Sequence, residues 1–341
     1  MTPAHKLAAL LLPMISAASF ATAEPAGLTI ESMFMPHHAK ETRAAIWYPS
    51  GGGGAVEPYA DNPVFVGLEV AMGAEIAPGR HPLVLLSHGM GGTDRALAWL
   101  ASDLAARGAI VAVVNHPGTT WGDHDMARGV RHWTRAEDMR AALDGLLEDP
   151  RYAPRIDRSR IMAAGFSYGG WTALSLGGLR GNHAGIVAAC ETHGAAMEAC
   201  ELLLSEEVRL QDQDPALWNA SRRDARVTQV VAIDPGFVWG LEAGDVAGLE
   251  VPAVMVGLGG GEDRMLATDF DRSGLAALLP GVTVLRHDPA NHFTMMPICK
   301  PEGAALLQAE DDDPVCTDPE GSERAALHAE IAGMIAGALG L

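Results

Sequence analysis

Uninterrupted apolar runs of strand length alternate with amphipathic segments of helical period along most of the chain. Runs without polar positions are typical of strands that are buried on both faces of a parallel sheet. Strands are predicted at residues 28–30, 44–48, 82–87, 109–114, 161–166, 227–233, 251–258 and 282–286. Helices are predicted at residues 94–107, 134–147, from 169 onward, 275–279 and 322–339. This alternation predicts an α/β fold whose sheet is mostly parallel and doubly wound, with an antiparallel pair at its start.

The first 23 residues stand apart from this alternation. A single lysine, Lys6, precedes an apolar stretch over residues 7–20, and Ala21-Thr22-Ala23 has the small-x-small form of a signal-peptidase site. This combination predicts a cleaved signal peptide at residues 1–23 and therefore a secreted or periplasmic protein without stable membrane insertion. A membrane anchor is the alternative, but the apolar stretch is shorter than the ~20 residues that a spanning helix needs.

The remaining residues, 24–341, are predicted to form a single domain. Residues 181–226 interrupt its strand–helix rhythm with many charges, Trp218 and two cysteines. Sheets of this kind bind ligands beyond the carboxyl ends of their strands. We therefore expect this segment to form a lid-like insertion over that edge of the sheet.

The four cysteines fall into two pairs with short separations, Cys190 with Cys200 and Cys299 with Cys316. In an oxidising compartment this spacing favours two sequential disulfide bonds, although other pairings are possible in principle. The sequence contains no Cys-x-x-Cys pair, so a zinc site formed by cysteines is not expected.

The chain carries a net charge of −19, from 43 acidic and 24 basic residues. An acidic surface repels phosphate backbones and anionic membranes, which argues against nucleic-acid and membrane-surface partners. The acidic run EDDD at residues 310–313 matches no calcium-loop spacing and is interpreted as a solvated loop. Neither a metal nor another cofactor is predicted. The expected partner is a small molecule, and the oligomeric state stays open.

The most specific motif is the run GFSYGG at residues 165–170, which lies between an apolar strand and a helix rich in Ala and Leu. Ser167 in this setting is typical of a nucleophile elbow, a strained turn that presents a serine at the end of a strand. The glycines allow the backbone to bend and the helix to approach, and the helix N-terminus supplies positive potential for an oxyanion. Ser167 is therefore the candidate nucleophile, and the Tyr168 amide is a candidate oxyanion donor.

A second glycine-rich run, SHGMGG at residues 87–92, follows the predicted strand at residues 82–87. Folds with a nucleophile elbow place their other oxyanion donor here, so the Met90 amide is the candidate. A plain glycine-rich turn is the alternative. His88 is interpreted as a structural residue beside this turn. His116 ends another strand on the same edge, and it is a candidate for lining the substrate pocket.

The general base is expected in a loop after the last strand. His292 follows the strand predicted at residues 282–286 and is the candidate, with His287 as the alternative. The acid that orients the base has two candidates. Asp234 directly ends a predicted strand, whereas Asp263 follows its strand through three consecutive glycines. Asp234 is preferred because a residue at a strand end is held more rigidly.

Several motifs together resemble the bacterial "predicted dienelactone hydrolase" family, which is related to the platelet-activating-factor acetylhydrolases. The matching stretches are HGMGG from His88, NHPG from Asn115, GFSYGGWTAL from Gly165, His292-Phe293, Cys299 and CTDPEG from Cys316. The resemblance runs from about residue 27 to the C-terminus. It implies an α/β-hydrolase fold and metal-free hydrolysis of an ester or lactone through an acyl-serine. The acetylhydrolase branch has its acid at the position of Asp234, but other members use a later position, so both acids stay open.

We therefore expect a serine-dependent carboxylic-ester hydrolase with a Ser-His-Asp triad, acting on a small or short-acyl ester. The elbow also resembles those of prolyl-oligopeptidase-type serine peptidases, so peptide hydrolysis is one alternative and lactone hydrolysis another. A non-catalytic binding protein of the same fold is the alternative from a different class. The sequence leaves the acyl and alcohol specificity open.

Overall fold

The structure, a computed structural model, describes residues 25–341. The predicted signal peptide at residues 1–23 lies outside the described residues. Ten strands form one large sheet, and β7 (Thr119–Thr120) and β8 (Asp123–His124) form a separate hairpin. The strands of the large sheet are β1 Gly27–Met35, β2 Lys40–Tyr48, β3 Ala55–Tyr59, β4 Leu68–Met72, β5 His81–Ser87, β6 Ile110–Val114, β9 Ile156–Phe166, β10 Gln229–Ile233, β11 Ala253–Leu258 and β12 Thr283–His287.

The order of strands across the large sheet is β12-β11-β10-β9-β5-β6-β2-β1-β4-β3. The six strands from β12 to β6 are parallel to their neighbours, whereas β2 pairs antiparallel with both β6 and β1. At the far end β4 is parallel to β1, and β3 is antiparallel to β4. The predicted α/β class, the mostly parallel sheet and the antiparallel start are confirmed. The carboxyl ends of β5, β9, β10, β11 and β12 therefore meet at one edge.

Helices cover both faces of the sheet and form most of the segment between β9 and β10. The α-helices are α1 Ala98–Ala106, α2 Met126–Gly129, α3 Trp133–Glu148, α4 Tyr168–Gly177, α5 His183–His193, α6 Cys200–Leu204, α7 Pro215–Trp218, α8 Ala243–Val246, α9 Leu275–Leu278, α10 Gly303–Ala309 and α11 Arg324–Leu339. Short 3-10 helices lie at Pro36–His38, Ala153–Arg155, Gly194–Ala196, Leu210–Asp212, Gly261–Asp263, Leu266–Thr268 and His292–Met295. Within residues 25–341, no helix is both long enough and apolar enough to cross a membrane.

Two layers of buried side chains hold these helices against the sheet. On one face, α3 and α4 contribute residues such as Met139 and Leu174. On the other face, α1 and α11 contribute residues such as Leu100 and Ile335. Burying a side chain of this size stabilises the fold by ~1.5–3 kcal/mol relative to leaving it exposed. Because both faces are covered, the parallel strands in the middle of the sheet consist largely of buried apolar residues.

The structure adds two strands, β3 at the edge of the sheet and β4 beside it, that the hydrophobic pattern did not predict. β3 exposes four of its five residues and contains Pro58, which cannot donate a hydrogen bond to a neighbouring strand. With a proline and a glutamate among its five residues, β3 lacks the uninterrupted apolar run by which the buried strands were predicted. β2 and β9 also begin before their predicted ranges, and their additional residues, KETR and IDRSR, are largely polar and so were not recognised as strand. β1 extends to Met35, beyond its predicted end at residue 30.

Residues 181–226 contain α5, α6 and α7 and follow α4. Their buried side chains, Trp218 among them, pack in a separate hydrophobic cluster that also includes Met126 and Trp133. The interpretation of this segment as a lid stays a prediction. The Cys190–Cys200 disulfide joins α5 to α6, and Cys299–Cys316 closes the chain around α10, so both predicted bridges are present.

Candidate active site

Ser167 lies between the end of β9 and the start of α4. Its φ of 58° and ψ of −122° place a non-glycine residue in a strained region of backbone conformation. A Cβ atom at Gly165 would lie 2.2 Å from the Gly169 carbonyl oxygen, and one at Gly169 would lie 1.9 Å from the Ser87 carbonyl oxygen. Only glycine fits at these two positions, which explains why glycines flank the serine in the sequence.

The side chains of Ser167, His292 and Asp234 form a hydrogen-bonded row. His292 Nε2 lies 3.0 Å from Ser167 Oγ, and His292 Nδ1 lies 2.6 Å from Asp234 Oδ2. His292 begins a short helix after β12, which Asn291 caps by accepting from the Thr294 amide at 3.0 Å. The serine is partly exposed, whereas the histidine and the aspartate are buried. In this geometry the imidazole can accept the serine proton while the carboxylate accepts from its other nitrogen.

Asp234 is completely buried at the end of β10, and four groups hold its carboxylate. Besides His292, the Leu258 amide donates to Oδ1 at 3.1 Å, the Arg264 guanidinium donates to Oδ1, and the Thr268 hydroxyl donates to Oδ2 at 2.9 Å. Burial by itself would raise the pKa of this carboxyl. The hydrogen bond and charge of His292, together with Arg264, instead lower the pKa below its usual value. Asp234 is therefore an ionised carboxylate at neutral pH.

The alternative acid and base from the sequence lie elsewhere. Asp263 is exposed in a short 3-10 helix after β11, and within residues 25–341 its side chain makes no hydrogen bond. His287 lies at the end of the edge strand β12, where its Nδ1 is 3.6 Å from Glu330 Oε2. The structure thus brings Ser167, His292 and Asp234 together and leaves Asp263 and His287 outside the row.

The two candidate oxyanion amides flank Ser167. Tyr168 is the first residue of α4, and Met90 follows Gly89 in the loop after β5. A Cβ atom at Gly89 would lie 3.2 Å from Ser167 Cβ, so this glycine brings the loop close to the serine. In the part of the chain that the structure describes, neither amide has a backbone acceptor. Two free amides beside a serine are suited to bind a carbonyl oxygen as it becomes negative.

Arg135 on α3 is a buried cation that supports this loop from behind. Its guanidinium donates to four oxygen atoms, namely the hydroxyls of Ser87, Thr119 and Thr172 and the carbonyl of His88. The guanidinium also lies over the Tyr168 ring, 4.4 Å from its centroid. Burial lowers the pKa of Arg135 to about 10, which still leaves the side chain charged at neutral pH.

His116 is fully buried, and its candidate role in lining the substrate pocket stays a prediction. Its Nε2 lies 2.9 Å from Ser87 Oγ, and its Nδ1 lies 2.8 Å from Asp138 Oδ2 on α3. Asp138 draws the ring inward, away from solvent. Burial and the nearby Arg135 lower the pKa of His116 to about 4, so the imidazole is neutral at pH 7. His88 is likewise fully buried, as its structural interpretation requires.

Exposed apolar side chains lie beside the loop that carries Met90. Trp121, at the tip of the β7–β8 hairpin, is 80% exposed, and Met90 is 36% exposed. The hairpin is joined to the loop by hydrogen bonds from the Gly91 amide to the Thr119 carbonyl (2.9 Å) and from the Trp121 amide to the Gly92 carbonyl (3.2 Å). A large aromatic side chain exposed next to a candidate site is a candidate contact for the apolar part of a ligand.

The chain is similar in sequence to several known proteins. The profile of the prolyl oligopeptidase family, Peptidase_S9, matches residues 87–190. Cutinase 2 of Thermobifida cellulosilytica is 30% identical over 159 residues, which cover 46% of this chain and 51% of that protein. Cutinase cut1 of Thermobifida fusca is also 30% identical over 159 residues, covering 46% of this chain and 42% of that protein. The chain thus spans about half the length of the curated relatives that it matches.

Two solved structures resemble nearly the whole chain. The ferulic acid esterase from Streptomyces cinnamoneus has a TM-score of 0.56 at 22% identity, covering 94% of this chain and 90% of that one. A dienelactone hydrolase-like promiscuous phosphotriesterase from metagenomic libraries has a TM-score of 0.52 at 14% identity, covering 92% and 98%. At identities this low, structural similarity is evidence for a shared fold and not for a shared activity. Together with the strand order, it shows that this chain has the α/β-hydrolase fold.

Proposed function

We propose that this protein is a carboxylic-ester hydrolase that works through an acyl-serine intermediate. The observation that carries the proposal is the row from Ser167 through His292 to Asp234, which lies at the carboxyl edge of the parallel strands. Two free amides beside the serine support it. The similar proteins from Thermobifida are named cutinases, which supports the same class of reaction.

In the proposed reaction, Ser167 Oγ attacks the ester carbonyl carbon while His292 Nε2 takes the hydroxyl proton. The carbonyl oxygen becomes an oxyanion that accepts from the Met90 and Tyr168 amides. The intermediate collapses, the alcohol leaves with the proton held by His292, and the acyl group stays on Ser167. Water then gives a proton to His292 and attacks the acyl carbon. The bond from that carbon to Ser167 Oγ breaks as His292 returns the proton to Oγ, which releases the acid and restores the serine hydroxyl. Asp234 accepts from His292 Nδ1 and stabilises the imidazolium charge throughout.

The proposed substrate is a small or short-acyl ester, and the acyl transfer uses no metal or other cofactor. Exposed Trp121 and Met90 offer an apolar contact beside the oxyanion amides, where an acyl or alcohol group would lie. A lactone presents the same carbonyl chemistry as an open ester, so it belongs to the same proposal. The position of Asp234 after β10 also supports kinship with the acetylhydrolase branch that the motifs resemble.

We further propose that the protein works outside the cytoplasm, as a secreted or periplasmic enzyme. Two disulfide bonds and no free cysteine are present among residues 25–341. Disulfides of this kind persist in oxidising compartments and are rare in the cytosol. The cysteine pairing is therefore in line with the export expected from residues 1–23.

The reaction is tested with p-nitrophenyl esters of increasing acyl length and with a fluorophosphonate reagent that labels activated serines. The unsubstituted protein should hydrolyse the shorter esters and become labelled at Ser167, and Ser167→Ala should lose both properties. Ser159→Ala, which removes an exposed serine near the start of β9, at the opposite end of that strand from Ser167, is the matched control and should keep both. Ester hydrolysis that survives in Ser167→Ala would refute the acyl-serine mechanism.

Peptide hydrolysis is the second candidate because the prolyl oligopeptidase profile matches the residues that include the elbow. Aminoacyl p-nitroanilides, assayed beside the esters, distinguish the two reactions. The ester proposal expects kcat/KM for the best ester to exceed that for every anilide. A higher kcat/KM for an anilide, lost in Ser167→Ala, would assign the same serine to a peptidase.

A further inference from the structure

Three potential metal ligands meet outside the proposed catalytic row, where the turn between β1 and β2 contacts α3. His37 and His38 belong to the 3-10 helix of that turn, and Asp138 belongs to α3. His37 Nε2 lies 2.9 Å and His38 Nε2 lies 3.3 Å from the same oxygen atom, Asp138 Oδ1. The three donor atoms all lie within 4.8 Å of one another. The turn and the helix thus present two imidazoles and a carboxylate to one point.

Two of the three separations are close to those of ligands around a tetrahedral zinc ion. Two atoms bound at ~2.0–2.1 Å from zinc at the tetrahedral angle lie about 3.3 Å apart. The two histidine–carboxylate separations, 2.9 Å and 3.3 Å, need to change by a few tenths of an ångström at most. Solvent can supply the fourth ligand because the side chains of His37 and His38 are 20% and 11% exposed. Two imidazoles with one carboxylate are a donor set that zinc accepts.

Contacts within the protein leave part of this cluster unsatisfied. His38 Nε2 is buried and has no hydrogen-bond partner among the described residues, although it faces a carboxylate. Asp138 is buried, and its second oxygen, Oδ2, is already bonded to His116 Nδ1 at 2.8 Å. A metal ion on Oδ1 would give His38 Nε2 a partner and leave the His116 contact in place. Ligating carboxylates usually have such a supporting hydrogen bond.

We propose that His37, His38 and Asp138 bind one divalent transition-metal ion, with Zn²⁺ as the best match, and that this ion fastens the β1–β2 turn to α3. The site lies outside the proposed catalytic row and does not depend on the proposed function. Through Asp138 the ion is linked to His116 and then to Ser87, the last residue of β5. Its role is structural, because it joins a surface turn to the buried network behind the candidate oxyanion loop.

The test uses the full chain without an affinity tag, freed of metal by a chelator and titrated with Zn²⁺. We expect saturable binding of one ion per chain, a higher midpoint of thermal unfolding and, with Co²⁺, the absorption bands of a tetrahedral ion. His38→Ala should weaken Zn²⁺ binding at least about 100-fold because it removes a ligand. His287→Ala removes a partly exposed imidazole that faces Glu330 instead, so it should bind Zn²⁺ like the unsubstituted protein.

Circular dichroism establishes that each variant is folded. His37→Ala removes the other imidazole of the same turn and serves in place of His38→Ala if that variant does not fold. The proposal is overturned if the metal-free chain takes up no Zn²⁺ in a saturable manner. It is equally overturned if the folded ligand variants bind Zn²⁺ as tightly as the unsubstituted protein. None of these measurements uses ester hydrolysis, so a failure of the proposed function would not affect the outcome.

Discussion

The Arg135 guanidinium donates a hydrogen bond to the carbonyl oxygen of His88, two residues before the candidate oxyanion donor Met90. Arg135 is fully buried, and charge-assisted hydrogen bonds are strong in such surroundings. The same guanidinium faces the Tyr168 ring. One side chain of α3 therefore contacts Tyr168 directly and also holds the loop that leads to Met90, the two residues whose amides are proposed to bind the oxyanion.

Arg135→Lys should lower kcat about 10-fold and leave KM nearly unchanged. Lysine keeps the buried charge but cannot donate to several oxygen atoms in the fixed geometry of a guanidinium. Displacing an oxyanion donor should cost less than deleting one, which costs ~10²–10³-fold in kcat. Steady-state kinetics with a p-nitrophenyl ester measure the effect. Arg140→Lys, on the more exposed side of the same helix, is the control and should have normal kinetics. An unchanged kcat in Arg135→Lys would show that the contacts of Arg135 are only structural.

Asp234→Asn should lower kcat by roughly 10⁴-fold, because the carboxylate orients the imidazole and stabilises its positive form. Asp263→Asn replaces an exposed loop carboxylate and should leave kcat nearly unchanged. It should change the free energy of unfolding by less than ~1 kcal/mol. Kinetics of both folded variants, prepared in parallel, decide between the two acids. An inactive Asp263→Asn beside an active Asp234→Asn would move the triad acid to the later position.

Gly169→Ala should destabilise the fold by about 3 kcal/mol or more, because its Cβ would lie 1.9 Å from the Ser87 carbonyl oxygen. Gly145→Ala is the matched control in α3, where a Cβ would have no neighbour within 4 Å. A helix gains ~0.5–1 kcal/mol when such a glycine becomes alanine. Urea unfolding of the two variants should therefore give shifts of opposite sign, and equal shifts would contradict the close approach at Gly169.

Removing either disulfide should lower the free energy of unfolding by ~2–3 kcal/mol, because each bridge restricts the unfolded chain. The Cys299–Cys316 bridge spans 17 residues and Cys190–Cys200 spans 10, so the first double alanine variant should lose slightly more. Urea unfolding of the two double variants measures both effects. Non-reducing peptide mapping of the exported protein provides the control, and four free thiols there would disprove the pairing.

Acidification should destabilise the fold through buried histidines such as His328. Burial lowers the pKa of His328 from 6.5 to about 4, so the unfolded chain binds more protons between these values. The stabilisation is complete above pH 6.5 and is lost as the pH falls toward 4, with about 2 kcal/mol lost at pH 5. His328→Gln retains a donor for the Thr294 carbonyl, which His328 Nε2 approaches to 2.9 Å. Urea unfolding at about pH 7.5 and at pH 5 gives the free energy of unfolding of each protein. Its decrease between the two pH values should be about 2 kcal/mol smaller in His328→Gln than in the unsubstituted protein, and an equal decrease would refute the assignment.

The prediction of the elbow around Ser167 succeeded because its determinants are neighbours in the sequence. Gly165 and Gly169, which the close backbone approaches require, both lie two positions from the serine, and the apolar run before them is the strand itself. The parallel strands were predictable for the same reason. In each case the residues that determine the local backbone structure are close together in the sequence.

The sequence left the acid open because the groups that hold it come from the end of the next strand, β11, and from the segment after it. Leu258, Arg264 and Thr268 donate to Asp234 only after β11 has paired with β10. No local pattern connects these residues with a carboxylate 24 to 34 positions earlier. Arg264 and Thr268 were therefore not identified as supports of the row.

The burial of His116 was not foreseen because a position at a strand end does not determine which way the ring turns. Its partner, Asp138, lies on α3 and is close to it only in the folded chain. A signal was nevertheless present in the sequence. Arg135 and Asp138 are charged residues three positions apart on the buried face of an amphipathic helix, and buried charges are normally paired.

The residues of the row are distant in the sequence, since Ser167 is 125 positions from His292 and Asp234 is 58 positions from it. They meet only when the C-terminal edge of the sheet, ending in β12, has joined the strands that precede it. Pairings between such distant segments form late because a long loop must close first. Recovery of hydrolysis during refolding should therefore lag behind recovery of helical circular dichroism. An incomplete chain that ends before β12 would carry the serine elbow without the base that makes it reactive.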